Sequence, residues 1–369
     1  MASNHLRDIQ AEGQAVWLDN ISRPLIDDGE LERLIAEDGI SGVTSNPSIF
    51  DKAFGDSDRY DEAIAKLAEQ GKDARDIFFE LGFKDIRDGC DLLRETFDAT
   101  EGKDGYVSFE LPPELADDAQ GSIEQGKLIR ERIDRPNVLI KVPATEAGIE
   151  AFEELTAAGV NVNVTLLFDV RRYEKIAEAY INGVERRVEA GEPVDRASSV
   201  ASFFVSRVDG KIDDKLDELD RTDLKGKAAV ANARIAYESF QRIFSGERWE
   251  ALAAKGAAVQ RPLWASTSTK DPSYPDTLYV DELIGPDTVN TMPDATVEAA
   301  RDHGTAARTV DKDVDGAHAL IDALKEAGVD FEDIVGRQLV EEGVASFAKS
   351  FDSMIDTIGE KAGAVSAKS

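Results

Sequence analysis

Residues 138–168 read VLIKVPATEAGIEAFEELTAAGVNVNVTLLF, which contains two apolar runs separated by an amphipathic segment. The runs Val138–Pro143 and Val160–Phe168 are rich in β-branched residues, as expected of strands that are covered on both faces of a parallel sheet. Between them, Glu146–Ala158 places its apolar side chains on one helical side, with a threonine before it and a glycine after it. This strand–helix–strand unit indicates an α/β fold.

The same alternation continues along most of the chain. The other predicted strands are Ala15–Asp19, Gly42–Asn46, Tyr106–Leu111, Ser198–Val205, Leu263–Ser266 and a piece within Thr277–Met292. Eight strand–helix cycles predict a closed (β/α)8 barrel (a TIM barrel), whereas fewer cycles would have predicted an open doubly wound sheet. We therefore expect one barrel domain over residues 1–369, with a flexible tail around 360–369.

Residues 51–104 break the alternation. They form an acidic stretch with helical periodicity that is too long for one crossover helix. We predict that this stretch holds two or three additional helices, inserted between the second and third strands.

The composition excludes several classes of function. The 369 residues include 74 acidic and 43 basic side chains, and the resulting net charge of −31 disfavours binding to nucleic acid or to anionic lipid. We find no signal peptide, no apolar membrane span and only one cysteine, Cys90, so a cytoplasmic location is expected. The three histidines, His5, His303 and His318, form no metal-binding motif, so no metal is expected. No other cofactor is expected either.

Lys141 is unusual because it lies inside an apolar strand. Lysine is almost never fully buried unless something specific holds it. Burial disfavours the charged form of an amine, and a neutral amine can attack a ketone carbonyl. Glu110, one strand earlier, could then manage the protons of the resulting carbinolamine. The alternative is a lysine near a strand end whose amine extends to water, and spacing alone leaves both interpretations open.

Other polar residues lie within the predicted strands or at their carboxyl ends, where a barrel builds its active site. They are Asp19, Asn46, Asn163, Thr165 and Ser202. Asp19 could instead cap the following helix, and Asn46 could form the turn before Pro47. Asn163 and Ser202 could be hydrogen-bonded core residues, while threonine is simply common in strands.

An anionic substrate would need local positive charge in so acidic a protein. Arg207 follows the sixth predicted strand, and Ser266 and Lys270 follow the seventh. Loops after the late strands of a barrel often bind phosphate, so these residues are the candidates. The sequence contains neither a glycine-rich phosphate loop nor a Ser-His-Asp set.

Six runs of the sequence resemble transaldolase signatures, in the order of that family. They are GVTSNPSIF, VSFELPPELA, IKVPAT, NVNVTLLF, ASFFVSRVD and RPLWASTSTK. The resemblance spans most of the chain and is greatest to the longer bacterial transaldolases, which carry a helical insertion after the second strand. It implies a metal-independent transferase of the pentose phosphate pathway. Such an enzyme moves a dihydroxyacetone unit between small sugar phosphates through a lysine Schiff base, and we expect a monomer or homodimer.

The resemblance also implies roles for the catalytic candidates. Lys141 matches the lysine that forms the Schiff base. Asp19 matches the acid/base group of carbon–carbon cleavage. Glu110 and Thr165 match the pair that positions a catalytic water.

The remaining candidates match residues that bind the substrate. Those for the substrate hydroxyls and the bound intermediate are Asn46, Asn163 and Ser202. Phe204, in the run ASFFVSRVD, is a further candidate of the substrate site. Arg207 and Ser266 match the phosphate-binding arginine and its serine neighbour. Many transaldolases have a second arginine shortly after that serine, and here Lys270 is the candidate to replace its charge.

Two rival functions share part of this pattern. Fructose-6-phosphate aldolases resemble transaldolases but are much shorter, and they usually have Gln at the position of Glu110 and Tyr at that of Phe204. This chain has the transaldolase residue at both positions. A catalytically inactive barrel that only binds a partner would have no need of a buried lysine beside carboxylates.

Overall fold

Eight short apolar runs form the strands of a closed parallel barrel in the computed structural model, which describes residues 4–366. The strands are β1 (Gln14–Leu18), β2 (Gly42–Val43), β3 (Tyr106–Glu110), β4 (Val138–Pro143), β5 (Val162–Leu167), β6 (Ser199–Phe204), β7 (Arg261–Ala265) and β8 (Thr288–Met292). Each strand pairs with the next, and β8 pairs with β1 from Thr288 opposite Gln14 to Met292 opposite Leu18. The predicted (β/α)8 barrel is confirmed.

Helices surround the barrel, and none of those described within residues 4–366 has the length and apolarity needed to cross a bilayer. The α-helices are α1 (His5–Ala11), α2 (Arg23–Asp27), α3 (Glu30–Arg33), α4 (Pro47–Asp56), α5 (Asp61–Glu69), α6 (Ala74–Leu92), α7 (Arg94–Ala99), α8 (Ala119–Ile133), α9 (Glu146–Ala157), α10 (Val170–Glu189), α11 (Ser206–Glu218), α12 (Ala228–Ile243), α13 (Glu247–Ala253), α14 (Leu278–Asp281), α15 (Asp294–His303), α16 (Val314–Glu326), α17 (Phe331–Asp333) and α18 (Leu339–Ser366). Short 3-10 turns occupy Pro113–Leu115 and Thr222–Leu224, and π-helical turns occupy Leu34–Asp38 and Ile334–Gln338.

The strand limits follow the sequence prediction closely except at β2, which ends at Val43 and not at Asn46. Beyond Val43, the hydroxyl of Ser45 donates to the carbonyl oxygen of Ser108 at 2.7 Å, so a side chain replaces the next ladder bond to β3. The side-chain oxygen of Asn46 accepts from the backbone N–H of Ile49 at 3.0 Å and caps α4. The chain therefore turns out of the barrel earlier than its apolar pattern predicts.

Four helices, α4 to α7, fill the segment between β2 and β3, so the predicted insertion is confirmed but the predicted number of two or three helices is too low. Their apolar faces meet the outer face of β3 in an aromatic cluster. In this phenylalanine cluster, the ring centroid of Phe78 lies 5.5 Å from that of Phe50, 6.0 Å from that of Phe109 on β3 and 5.6 Å from that of Phe351 on α18. The insertion is thus packed against both the barrel and the last helix.

Helix α18 lies across the end of the barrel at which the strands terminate. It contacts α4, α5 and α6 on one side and β5 on the other. Gly343 permits the close approach to β5, because a Cβ atom there would lie 2.7 Å from Cδ2 of Leu166. The flexible tail expected over 360–369 stays a prediction: α18 is helical to Ser366, and residues 367–369 lie outside the described part of the chain.

Candidate active site

Strand register brings three predicted site residues side by side. Glu110 on β3 is opposite Lys141 on β4, and Lys141 is opposite Asn163 on β5. Because side chains alternate between the two faces of a strand, the neighbouring Phe109 points outward into the phenylalanine cluster while Glu110 points into the barrel. The polar positions of these strands therefore share the barrel interior.

A cavity of about 220 Å³ opens at the carboxyl-terminal ends of the strands. Nine of the eleven predicted site residues line it: Asp19, Asn46, Lys141, Thr165, Ser202, Phe204, Arg207, Ser266 and Lys270. Glu110 is not part of this lining, but its carboxylate contacts the amine of Lys141, which is. Asn163 lies behind this lining, where its amide donates to the hydroxyl of Ser108 at 3.0 Å and its oxygen accepts from the hydroxyl of Ser202 at 2.6 Å.

Lys141 is buried, with 3% of its surface exposed, and its amine is held from two sides. Nζ donates to the carbonyl oxygen of Ser45 at 2.8 Å and lies 3.0 Å from Oε2 of Glu110. The alternative of an amine that extends to water is therefore wrong. Burial raises the pKa of the Glu110 carboxyl above its ordinary value, while the charge of Lys141 opposes that rise. The pair can exchange a proton at this distance.

Asp19 is held by a chain of hydroxyl groups. The hydroxyl of Thr44 lies 2.6 Å from Oδ1 of Asp19 and 2.6 Å from the hydroxyl of Thr291. Since an ionised carboxylate only accepts, Thr44 donates to Asp19 and Thr291 must donate to Thr44. Burial raises the pKa of Asp19, and the bond from Thr44 and the charge of Lys141 act against that rise. The alternative that Asp19 caps α2 is wrong, because Ser22 occupies that position.

Two residues with an unfavourable backbone conformation flank the cavity. Leu166, directly after Thr165, has φ of +56° at an irregularity in the pairing of β5 with β6, and Ser266 at the end of β7 also has φ of +56°. Residues other than glycine adopt such angles at a cost of about 1–3 kcal/mol, and they cluster at functional sites. The hydroxyl of Thr165 is buried and makes no hydrogen bond within the described residues, so its donor and acceptor capacity is unused.

The positive side of the cavity is built by the first turn of α11 and the loop after β7. The guanidinium carbon of Arg207 lies 5.1 Å from the ring centroid of Phe204, and no ion pair to Arg207 occurs within residues 4–366. The hydroxyls of Ser206 and Ser266 lie 2.8 Å apart, which joins the two segments. Lys270, at the exposed rim, donates to the hydroxyl of Ser268 at 2.8 Å. An arginine, hydroxyls and a helix amino terminus together form a site suited to an anion.

A larger cavity, of about 700 Å³, lies at the opposite end of the barrel. It is lined by residues at or before the starts of strands, such as Gln14, Ser41 and Arg261. None of the predicted site residues reaches it. Since barrel enzymes carry their active sites at the carboxyl ends of the strands, the chemistry of the lining identifies the smaller cavity as the candidate.

A family model for transaldolase/fructose-6-phosphate aldolase matches residues 16–358. The chain belongs to this family. Among curated relatives, "Transaldolase 2" of Nostoc sp. is 46% identical over 374 residues, which cover 98% of each chain. "Transaldolase" of Parafrankia sp. is 47% identical over 98% of this chain and 99% of the relative. "Transaldolase" of Frankia alni is 46% identical over 98% of each.

Membership of the transaldolase/fructose-6-phosphate aldolase family confirms the resemblance and the prediction of a transferase enzyme. The roles of the individual residues stay predictions. So do the absence of a metal or another cofactor and the choice between monomer and homodimer. Within residues 4–366, no group of three or more His, Cys, Asp or Glu side chains could hold a metal ion.

Sequence reasoning missed three kinds of contribution to this family's barrel site. Thr44 donates to Asp19, Thr291 bonds the hydroxyl of Thr44, and Ser45 acts through its backbone oxygen. Phe347 of α18 lines the cavity although it follows the last strand by more than one helix. No sequence signal distinguishes these threonines from ordinary strand residues, and nothing in the sequence pattern of α18 indicates where that helix packs.

Proposed function

We propose that this chain is a transaldolase of the pentose phosphate pathway that acts in the cytoplasm without a metal. It transfers a dihydroxyacetone unit from sedoheptulose 7-phosphate or fructose 6-phosphate to glyceraldehyde 3-phosphate or erythrose 4-phosphate. The observation that carries this proposal is the buried amine of Lys141, 3.0 Å from Glu110, in a cavity that also holds Asp19 and Arg207. The transaldolase names of relatives that match nearly the whole chain support it.

The first step is formation of an imine between Lys141 and the substrate ketone. The amine must lose a proton before it attacks, and Glu110 is near enough to accept that proton. Because burial raises the pKa of Glu110, its carboxyl can keep this proton. It can then donate the proton to the hydroxyl of the carbinolamine, which leaves as water. The unused hydroxyl of Thr165 supports a role in holding this water.

The second step is cleavage of the carbon–carbon bond. Asp19 accepts the proton of the hydroxyl on the carbon that becomes the aldehyde, and the carbon–carbon bond breaks. The electron pair of that bond moves into the imine, which gives an enamine on Lys141. An aldehyde leaves. Attack of the enamine on a second aldehyde, with Asp19 returning the proton, forms the new carbon–carbon bond and leaves the product as an imine on Lys141. Addition of one water to this imine, with Glu110 moving the protons, then breaks the carbon–nitrogen bond, releases the product ketose and restores the amine. Asn46 and Ser202 line the cavity where the substrate hydroxyls would lie, and Asn163 orients Ser202.

The phosphate of each substrate would bind at Arg207, Ser266 and the first turn of α11. Burial lowers the pKa of Arg207, and the negative charges of Glu110 and Asp19 oppose that change. Because burial disfavours the positive charge of this guanidinium, a bound phosphate would stabilise its charged form. Lys270 at the rim is placed to contact the same phosphate from the loop after β7.

A fructose-6-phosphate aldolase is the competing function within this family. It would protonate the enamine and release free dihydroxyacetone, whereas a transaldolase retains it for the second aldehyde. The ring of Phe204 lines the cavity and offers no hydroxyl as a proton donor, which favours transfer.

Borohydride reduction in the presence of fructose 6-phosphate tests this proposal. We expect a three-carbon adduct that maps to Lys141 by peptide mass analysis. Lys141→Ala should fold but form no adduct and lose essentially all turnover, because it removes the amine that lies beside Glu110. An adduct on another lysine, or turnover by Lys141→Ala, would refute the Schiff-base assignment. Steady release of dihydroxyacetone without acceptor, at the rate of transfer, would instead identify an aldolase.

A further inference from the structure

Phe347 is an aromatic side chain that α18 contributes to the cavity. Its ring centroid lies 5.9 Å from Nζ of Lys141 and 6.0 Å from the guanidinium carbon of Arg207. Ser45 and Glu110 hold the amine from within the barrel, whereas Phe347 approaches it from the helix that lies across the mouth. The lysine is therefore enclosed between strand residues and one ring of α18.

The inserted helices fix this part of α18. One turn after Phe347, Phe351 packs into the phenylalanine cluster. The hydroxyls of Ser350 and Ser48 lie 2.8 Å apart, and Lys361 donates to the carbonyl oxygen of Ser57 at 2.9 Å and to Asp61 at 2.7 Å. Because these contacts bind α18 to α4 and α5, the ring of Phe347 has a defined position above the site.

We propose that Phe347 shields the enamine on Lys141 from bulk water and so favours transfer over hydrolysis. This inference rests on the proposed Schiff-base function. It also assigns a role to the insertion between β2 and β3: these helices hold the element that covers the site.

The reaction that competes with transfer is hydrolysis of the adduct on Lys141. Hydrolysis begins when a proton is added to the enamine carbon, which gives the imine of dihydroxyacetone. Water then adds to the imine carbon, and the carbon–nitrogen bond breaks. The products are free dihydroxyacetone and the amine of Lys141, so one water is consumed. Both the proton and the water reach the adduct more easily from bulk solvent if the mouth is open.

The composition of the cavity lining explains why the single ring of Phe347 should strongly affect the access of water to the enamine. Most of the other groups around the adduct are hydroxyls, an amide or charged side chains, which attract water. Phe204 covers one wall beside Arg207, and Phe347 lies over the lysine itself. Removal of the Phe347 ring would leave the solvent side of Lys141 without a large apolar neighbour from α18.

The test compares Phe347→Ala with Phe351→Ala, the same change one turn apart on the same helix. For each variant, we would measure the ratio of free dihydroxyacetone to transferred product, with fructose 6-phosphate as donor and erythrose 4-phosphate as acceptor. We expect a several-fold rise of this ratio in Phe347→Ala, with borohydride trapping on Lys141 preserved. Phe351→Ala removes one of the contacts that hold α18 but leaves the Phe347 ring in the chain, so it should lower thermal stability and raise the ratio much less than Phe347→Ala does.

Valine variants at the same two positions, which also remove most of the ring, serve if an alanine variant does not fold. An unchanged ratio in the Phe347 variant, or an equal rise in both variants, would overturn the proposal. If the wild-type protein forms no adduct on Lys141, the proposed function itself fails. If it does form the adduct and transfers, only the shielding role is at stake.

Discussion

Asp19 and Glu110 are two carboxyl groups that face one lysine in a small cavity. Burial raises the pKa of both, and the positive charges of Lys141 and Arg207 oppose the rise in each case. A carboxyl group whose pKa lies above its ordinary range exchanges protons closer to neutral pH. The arrangement therefore provides two proton carriers near the lysine, one for imine formation and one for carbon–carbon cleavage in the proposed mechanism.

Thr44→Val tests how Asp19 is tuned. The hydrogen bond from Thr44 favours the ionised form of Asp19 and lowers its pKa, so loss of the bond should raise that pKa. Asp19 must be ionised to accept the substrate proton, and activity is lost as pH falls through its pKa. The acid limb of the kcat/KM profile should therefore move to higher pH.

Thr267→Val is the matched control for this shift. Thr267 is also buried, but its hydroxyl donates to Oδ1 of Asn290 at 2.9 Å and to the backbone oxygen of Thr291 at 3.3 Å, and it bonds neither Asp19 nor Thr44. Its acid limb should coincide with that of the wild type. A limb that stays in place in Thr44→Val, or that moves equally in both variants, would show that Thr44 does not tune the catalytic acid/base group.

Single residues also show what the sequence could predict. Lys141 was identifiable because a lysine within Val-Leu-Ile-Lys-Val-Pro contradicts its apolar surroundings, and the register of β3 to β5 then brings Glu110 beside it. The threonine chain to Asp19 was not identifiable, because threonine is an ordinary strand residue. Its donor direction follows only from distances between side chains of three different strand ends.

The inserted helices are tied to the barrel by a buried ion pair as well as by aromatic packing. Nη2 of Arg23, at the start of α2, lies 2.7 Å from Oδ1 of Asp85 on α6. The hydroxyl of Tyr60 donates to Oδ2 of Asp85 at 2.8 Å and accepts from the backbone N–H of Arg23 at 2.7 Å. Both carboxylate oxygens are thereby bonded, as a buried charge requires.

Asp85→Ala should therefore be strongly destabilising. It would leave the guanidinium of Arg23 buried without its partner, and removal of one member of a buried pair typically costs about 3–5 kcal/mol. The free energy of unfolding, measured by denaturant titration, is the readout.

Asp88→Ala, one turn further along α6, provides the comparison. Asp88 pairs with Lys84 at the surface, and exposed pairs are usually worth less than about 1 kcal/mol. If Asp85→Ala lowers the free energy of unfolding no more than Asp88→Ala does, the ion pair between Arg23 and Asp85 does not hold the insertion to the barrel.

The limits of sequence-based prediction differ between elements. β4 was predicted to the residue because a continuous apolar run ends at a proline that begins the next turn. β2 was predicted too long, since Thr44, Ser45 and Asn46 are compatible with a strand but use their side chains to leave it. α18 could be recognised as a helix, but its place across the barrel mouth depends on contacts with helices nearly 300 residues earlier in the chain.

The net charge of −31 acts on the molecule as a whole. The excess carboxylates repel one another in the folded state, which opposes compactness. Many surface arginines and lysines are already paired with acidic groups, for example Arg135 with Asp91 at 2.6 Å and Lys361 with Asp61 at 2.7 Å. Salt weakens both the repulsion and these pairs, so the two effects compete.

We expect the repulsion to dominate, because exposed pairs contribute little and the excess of negative charge is large. Raising NaCl from about 0.1 M to about 1 M shortens the screening length from about 10 Å to about 3 Å. The thermal unfolding midpoint should rise over this range. A falling midpoint would mean that surface ion pairs contribute more to stability than the mutual repulsion of the carboxylates removes.

The position of α18 has a consequence for how the protein is made in the cell. Translation produces the eight strands before Leu339–Ser366, so any barrel that closes before synthesis ends lacks the helix that carries Phe347. During that interval Lys141 would be present without its aromatic cover. A newly made barrel would then release bound three-carbon units to water, and it would retain them for transfer only when synthesis has passed α18 and the helix has docked.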